Sequence, residues 1–199
     1  MEGSFSNHFL ATLLILLAFT SYTSSAARVT AQETSNEFIR TSCTSTTYPK
    51  LCYTSLSTHA SVIQTSAKLL AHTALSVTLH TARSTSAVML KLSKSHGMKP
   101  REAAAMSDCI EELSDSVDQL RRSLGEMKKL KGSNFELMMS DIQTWVSAAM
   151  TDDDTCTTGF AGNAMNGKLK TVVRGKIVNI AHLTSNALAL INSYASLHS

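Results

Sequence analysis

Four long segments of this chain place apolar residues three and four positions apart, the spacing that gives a helix one apolar face. They run from about Ser61 or Ser66 to Ser95, from Pro100 to about Leu130, from Ser133 to about Thr151, and from about Lys168 to Ser196. None shows the strict alternation of a strand. Gly97 and Gly132 are suited to end the first two helices, and Pro100 to open the second.

Three of these segments have a single apolar stripe. In the second segment it consists of Met106, Cys109, Ile110, Leu113, Val117, Leu120, Leu124 and Met127. The third segment begins with Ser133 and Glu136, which have the spacing of a capping box. Four amphipathic helices joined by short breaks predict an antiparallel four-helix bundle.

The first long segment has apolar residues on two opposite sides. The stripe assigned to the interior is Leu70, Val77, Val88 and Leu92, and the opposite side holds Leu75, Leu79, Met89 and Leu90. A helix of this kind needs cover on both faces. We expect an N-terminal hairpin or a partner protein to supply it.

The residues before the bundle predict a short helical hairpin. Residues 28–36 have the composition of a polar leader. Pro49 disfavours helix at Tyr48 but suits the first turn of a new helix, so a turn is expected there. We therefore predict an all-α fold in one domain, residues 28–199, with the hairpin at about 36–60 and the bundle at about 61–197.

The first 27 residues predict a signal peptide. The apolar run from Phe9 to Phe19 is too short to span a bilayer, and Ser25, Ala26 and Ala27 suit a signal peptidase. The segment before the run lacks Lys and Arg, so an uncleaved membrane anchor is the alternative. After cleavage we expect no membrane attachment, since no later run reaches about 18 apolar residues.

The charge beyond the signal peptide is mildly positive. All 18 Lys and Arg and all but one of the 15 acidic residues lie there. Such a charge supports weak attraction to polyanions, including acidic polysaccharides. We expect no binding to nucleic acid, because no basic stripe with interleaved aromatic residues is visible.

Four cysteines follow the predicted signal peptide: Cys43, Cys52, Cys109 and Cys156. An even number in an exported chain predicts two disulfides, which four cysteines can form in three ways. No pair has the Cys-x-x-Cys spacing of zinc or redox sites. Structural disulfides are the favoured interpretation.

We find no residues that predict an enzyme. Asp152, Asp153 and Asp154 are consecutive and are interpreted as a polar break that caps the turn carrying Cys156, rather than as catalytic or metal-binding groups. The histidines lack metal-ligand spacing and are expected to be solvated or packed. There is no nucleophile elbow or phosphate-binding loop, so we expect no catalytic residues, metal or cofactor.

The outward face of the third segment is uncharged. It consists of Leu137, Ser140, Thr144 and Ser147. Protein interfaces are depleted of charge at their centre, so this face is our candidate for binding a target protein. The alternative is a helix that is merely rich in Ser and Thr.

Three groups of residues carry a resemblance to a known family. They are Thr47-Tyr48-Pro49-Lys50-Leu51-Cys52; Asp108-Cys109 with Asp115-Ser116-Val117-Asp118-Gln119-Leu120; and Gln143-Thr144-Trp145-Val146-Ser147-Ala148-Ala149 with Asp154-Thr155-Cys156. With the order and spacing of the cysteines, they resemble the plant invertase and pectin methylesterase inhibitor family. The resemblance covers the chain from about Phe38 to Leu197.

The resemblance implies both structure and function. It implies a helical hairpin before a four-helix bundle, with disulfides Cys43–Cys52 and Cys109–Cys156. It also implies a secreted protein of the plant cell wall that blocks the substrate cleft of pectin methylesterase in a one-to-one complex, without chemistry of its own. An invertase inhibitor, or a helical carrier or structural protein without an enzyme target, is the alternative.

The break between the second and third bundle helices favours pectin methylesterase as the target. The invertase-inhibiting branch of the family resembles this chain in its bundle but carries a Pro-Lys-Phe segment at this break. This chain has Gly132-Ser133-Asn134-Phe135 instead, which lacks the Pro and the Lys. Phe135 also falls on the apolar stripe, so we expect it in the core, although Lys131 is nearby.

Overall fold

The computed structural model describes residues 30–95, 97–161 and 167–198, and within these ranges the protein is helical, with no strand. The hairpin comprises α1 (residues 30–43), α2 (Pro49–Leu56), a 3-10 turn (Ser57–His59) and the short α3 (Ala60–Ile63). The long helices are α4 (Ala67–Ser93), α5 (Pro100–Lys129), α6 (Phe135–Gly159) and α7 (Lys168–Ser196). The all-α prediction is confirmed. The predicted signal peptide lies outside the described residues.

The four long helices form a closed ring. Each of α4, α5, α6 and α7 packs against two of the others, in the order α4–α5–α6–α7 and back to α4. Contacts between opposite ends of neighbours, such as Phe135 with Tyr194, make the neighbours antiparallel. The hairpin packs against α4 and α7 through α2 and against α4 through α3. It therefore covers part of α4, while Leu90 stays 46% exposed.

The hairpin begins earlier than expected. Residues 30–36 are helical and belong to α1 rather than to a polar leader. The hydroxyls of Thr34 and Ser35 donate to the carbonyl oxygens of Thr30 and Ala31 one turn earlier, at 2.9 and 2.8 Å. Because the helix satisfies these polar groups itself, Ser35 can be buried one turn before Ile39.

Two predicted helix starts are confirmed and one is wrong. Pro100 opens α5 and Pro49 opens α2. The capping box at Ser133 and Glu136 does not form: Gly132–Asn134 makes a 3-10 turn, and α6 starts at Phe135 without a side-chain cap. Ser133 lies within this 3-10 turn, so its hydroxyl is not at the N-cap position of α6.

The interior stripe of α4 differs from the prediction. Leu75, Leu79 and Met89 are buried, while Val77, Val88 and Leu92 are only partly buried. The small residues Ala71, Ala74, Thr78, Ala82 and Thr85 are buried with them. Ala, Thr and Ser occupy so much of this helix that the large apolar residues alone do not define its inner face. The face at Leu75 and Leu79 is thus part of the core.

Candidate functional site

The predicted target-binding residues form one exposed stripe on α6. Leu137 is 69% exposed, and Ser140, Thr144 and Ser147 are exposed as well. Their spacings of three and four residues place them on the same side of the helix. The structure thus brings the four residues together on a surface, and it leaves their role in binding as a proposal.

The stripe is longer than the sequence indicated. We expected the helix to end at about Thr151, but α6 continues to Gly159 and adds the exposed residues Thr151 and Thr155 to the same side. Three of its hydroxyls donate along the helix: Thr144 to the Ser140 carbonyl at 2.8 Å, Thr151 to Ser147 at 3.2 Å and Thr155 to Thr151 at 2.9 Å. Their protons are satisfied within the protein, so covering the stripe leaves few donors without partners.

Asp153 explains why the helix continues. It is not part of a polar break: its side chain is fully buried at an inward position of α6, between Ala149 and Cys156. Ser116 on α5 donates to Oδ1 at 3.0 Å, and the Thr184 hydroxyl on α7 lies 3.0 Å from Oδ2. Partners on two other helices satisfy the carboxyl group, which lets a polar side chain occupy a core position.

The three aspartates differ in their surroundings. Burial raises the pKa of Asp153 to about 7, and the charge of Asp152 adds to this rise, while hydrogen bonds donated by Thr184 and Ser116 to the ionised carboxylate oppose it. The pKa of Asp152 is raised to about 6 by burial and then by Glu112 and Asp115. Asp154 is exposed. Within the described residues, no three His, Cys, Asp or Glu side chains are arranged to hold a metal ion.

Asn186 joins the hairpin to the bundle. Its side-chain amide donates to the Tyr48 carbonyl oxygen at 3.0 Å, and its Oδ1 accepts from the Tyr48 N–H at 3.0 Å. The Tyr48 ring also stacks on His182, with 3.6 Å between the ring centres. Because Pro49 follows directly and opens α2, these contacts fix the turn of the hairpin against α7.

Two disulfides add covalent links, with the pairing that the resemblance implies. Cys43–Cys52 closes the hairpin, with 5.6 Å between the Cα atoms. Cys109–Cys156 joins the first part of α5 to the last part of α6, with 4.4 Å between the Cα atoms. The second bond lies one helical turn from Asp153, so covalent and hydrogen-bonded links hold the same end of these helices together.

The break between α5 and α6 lines a groove of about 670 Å³ at the other end of the bundle. Phe135 is partly buried there, with its ring 4.7 Å from that of His198 and 5.7 Å from that of Tyr194. We expected Phe135 in the core; it packs against the core while keeping some exposure. The connecting residues thus form a packed turn rather than a projecting loop.

Three of the described histidines, His72, His182 and His198, lie near aromatic or basic groups. His182 stacks on the ring of Tyr48, and His198 stacks on the ring of Phe135. The pKa of His72 is lowered by burial and by the charges of Lys128 and Lys68. In the part of the chain that the structure describes, no helix is long and apolar enough to cross a membrane. The geometry is that of a helical protein with a stripe of exposed, uncharged residues along α6.

Comparisons with known proteins define the class of this protein. The sequence model of the family described as plant invertase/pectin methylesterase inhibitor matches residues 37–190. The chain is 46% identical over 166 residues to the "21 kDa protein" of Daucus carota, covering 82% of this chain and 86% of that protein. It is 45% identical over 188 residues to "Pectinesterase inhibitor 11" of Arabidopsis thaliana, covering 92% of this chain and 93% of that protein.

A solved structure supports the same fold. The crystal structure of mutant form A of a pectin methylesterase inhibitor from Arabidopsis matches with a TM-score of 0.61 and 23% identity, covering 75% of this chain and 92% of that chain. With the sequence matches, this confirms the resemblance. The chain belongs to the plant invertase/pectin methylesterase inhibitor family.

Proposed function

We propose that this protein inhibits pectin methylesterase by covering the enzyme's substrate cleft in a one-to-one, non-covalent complex. The exposed stripe from Leu137 to Thr155 on α6 carries the proposal. Its six residues are uncharged, and its threonine hydroxyl protons at 144, 151 and 155 are already hydrogen-bonded. Such a surface can be desolvated at low cost, as the centre of a protein interface requires.

The choice of pectin methylesterase over invertase rests on the break between α5 and α6 and on the relatives. The connecting residues Gly132–Asn134 form a 3-10 turn, and Phe135 packs against Tyr194 and His198. A ring held there cannot project into another protein's cleft without breaking those contacts. One similar protein, at 45% identity, is named a pectinesterase inhibitor.

The proposal extends to where the protein works and what surrounds it. The predicted signal peptide at residues 1–27 supports secretion, and we place the mature chain in the apoplast and cell wall. Its positive charge, with a pI of about 8.7 for the whole chain, supports weak attraction to acidic pectin. The protein would then modulate the methyl esterification of pectin without chemistry of its own.

The test is to titrate the purified mature chain against a plant pectin methylesterase and an acid invertase, in parallel and at mildly acidic pH. Loss of pectin methylesterase activity should reach completion at one inhibitor per enzyme, and invertase should keep its activity. The chain alone should release no methanol from pectin. Stronger inhibition of the invertase, or no inhibition of either enzyme, would overturn the proposal.

A further inference from the structure

The charges of the bundle are separated between its two halves. The helices α4 and α7 pack against each other and contain no Asp or Glu. They carry seven cationic residues: Lys68, Arg83, Lys91, Lys168, Lys170, Arg174 and Lys176. The helices α5 and α6 carry twelve acidic residues against five Lys and Arg. A modest net charge therefore conceals a basic side and an acidic side.

The basic side has two exposed stripes that run next to each other. One stripe consists of the exposed residues in the second half of α4, which are His80, Arg83, Ser84, Ala87, Leu90 and Lys91. The other consists of the exposed residues in the first half of α7, which are Lys168, Thr171, Val172, Gly175, Lys176 and Asn179. A groove of about 430 Å³ lies between them, lined by His80 and Ser84 from α4 and by Lys176 and Asn179 from α7. We call this surface the basic face.

Three cations of the basic face are unpaired with acidic side chains in the part of the chain that the structure describes. Among the described residues, Arg83, Lys91 and Lys176 make no ion pair with an acidic side chain. The α4 and α7 segments can supply none, since they lack acidic residues. Like charges held on adjacent rigid helices create a positive potential that a bound polyanion would neutralise.

We propose that the basic face binds a linear polyuronate, the acidic and unesterified form of the polysaccharide on which the target enzyme acts. A groove between two adjacent rods of positive charge suits an extended polymer with a carboxylate on each sugar. This inference rests on the proposed function, because that function implies that the protein works where this polymer is present. The inhibitor would then be held at regions where esters have already been removed, close to its enzyme.

The composition of the basic face favours a polysaccharide over other polyanions. Neither stripe contains a Phe, Tyr or Trp on which a nucleic-acid base could stack. Its exposed large apolar residues are the aliphatic Leu90 and Val172, so the face lacks the aromatic anchors that dominate tight protein interfaces. Serine, threonine and asparagine between the cations offer hydrogen bonds to sugar hydroxyls.

The basic face and the stripe on α6 can be occupied together. In the ring of four helices α4 contacts α5 and α7, and α6 contacts the same two helices. The helices α4 and α6 therefore occupy diagonal corners, and their outward sides point away from each other. Polymer bound along α4 and α7 would leave the α6 stripe open to the enzyme.

The test compares two double charge reversals in the full mature chain. Arg83→Glu with Lys176→Glu changes the basic face, and Arg122→Glu with Lys129→Glu makes the same charge change at exposed positions of α5. Binding is measured to polygalacturonate, to highly methyl-esterified pectin and to single-stranded DNA, at low and high NaCl. Thermal unfolding verifies that both variants are folded.

The wild-type chain should bind polygalacturonate at low salt and should not bind the esterified polymer. Binding to polygalacturonate should weaken as the salt concentration rises, because salt screens the charges. Reversal on the basic face should weaken binding on the order of tenfold or more, while reversal on α5 should change it less than about twofold. Equal losses in both variants, no binding by the wild type, or tighter binding to the DNA would overturn the inference. Complex formation with pectin methylesterase should persist in the basic-face variant. A failure of the polymer-binding proposal can therefore be distinguished from a failure of the proposed inhibition.

Discussion

At the scale of single residues, Asp153 is the side chain whose chemistry the fold constrains most. The Thr184 hydroxyl lies 3.0 Å from Asp153 Oδ2 and 3.0 Å from the carbonyl oxygen of Ile180. One hydroxyl has one proton and can donate it to only one of them. A protonated Asp153 resolves this, because it can donate to Thr184 while Thr184 donates to Ile180. The hydrogen-bond geometry and the pKa of about 7 thus agree.

We predict that this carboxyl group makes the fold more stable in acid. Its pKa is raised from 3.8 to about 7, so the folded state binds the proton more tightly than the unfolded state. The stabilisation is complete below the unfolded pKa and is lost as the pH rises through about 7. From pH 5 to pH 8 the free energy of unfolding should fall by about 2 to 3 kcal/mol through this group.

Asp153→Asn is the variant that isolates the effect, since an amide resembles the protonated carboxyl group. Urea unfolding should show a flatter pH dependence than in the wild type, with greater stability than the wild type at pH 8. The matched control is Asp154→Asn, which changes an exposed neighbour and should keep the wild-type slope. An Asp153→Asn protein with the full wild-type slope would mean that Asp153 is ionised in the fold.

At the scale of helices, sequence patterns predict the elements whose boundary residues act locally. The limits of α7 match the prediction at both ends, and Pro100 opens α5 as expected. Proline acts through its own backbone geometry, which the surrounding fold changes little. The exposure of the four residues of the candidate stripe is also predictable, because the helical period alone identifies which residues lie opposite the apolar face.

The predictions failed where distant residues decide the outcome. Three consecutive aspartates are typical of a break, yet α6 passes through them because Ser116 and Thr184 meet Asp153 from other helices. Those partners lie 37 and 31 residues away in the chain. The spacing from Val146 and Ala149 through Asp153 to Cys156 does continue the apolar stripe. This continuation is the local sign that the helix extends.

The stripe on α6 predicts where the inhibitory contact lies. Thr144→Lys and Ser147→Glu each place a charge in a face that the complex would remove from water, at a cost of about 2 kcal/mol or more if the position is central. Isothermal titration with pectin methylesterase should therefore show binding weakened at least roughly thirtyfold by each change. The fold should be unaffected, since both positions are exposed.

Ser84 provides the matched control for both charges. Ser84 is exposed and lies away from both ends of α4, the helix diagonally opposite α6. Ser84→Lys and Ser84→Glu therefore introduce the same two charges away from the stripe. Complex formation with the enzyme should stay within about twofold of the wild type in both. Normal affinity of the two α6 variants would exclude this stripe from the interface.

At the scale of the whole molecule, two features arise from how the elements are arranged. Counting charges gives only a mild net positive value, and the separation of charge appears once α4 and α7 are known to be neighbours. The attachment of the hairpin is similar. Nothing in the sequence near Asn186 indicates that it will hold Tyr48, which is 138 residues away.

Asn186→Ala should show how much that attachment contributes. The change removes two hydrogen bonds and leaves the N–H of Tyr48 without its partner in a partly buried site. The expected loss is about 2 kcal/mol in the free energy of unfolding, since leaving such a group unsatisfied costs more than the net value of one hydrogen bond. Asn179→Ala is the matched control on the same helix, where Asn179 is exposed, and it should cost less than about 0.5 kcal/mol.

Hydrogen exchange adds a local measurement of the same attachment. Amides of α2 should exchange faster in Asn186→Ala, because the hairpin can then open without the rest of the bundle. Amides of α5 and α6 should exchange as in the wild type once the global loss of stability is taken into account. Equal stability of the Asn186 and Asn179 variants, with unchanged exchange in α2, would mean that packing of the hairpin on α4 and α7 holds it without this amide.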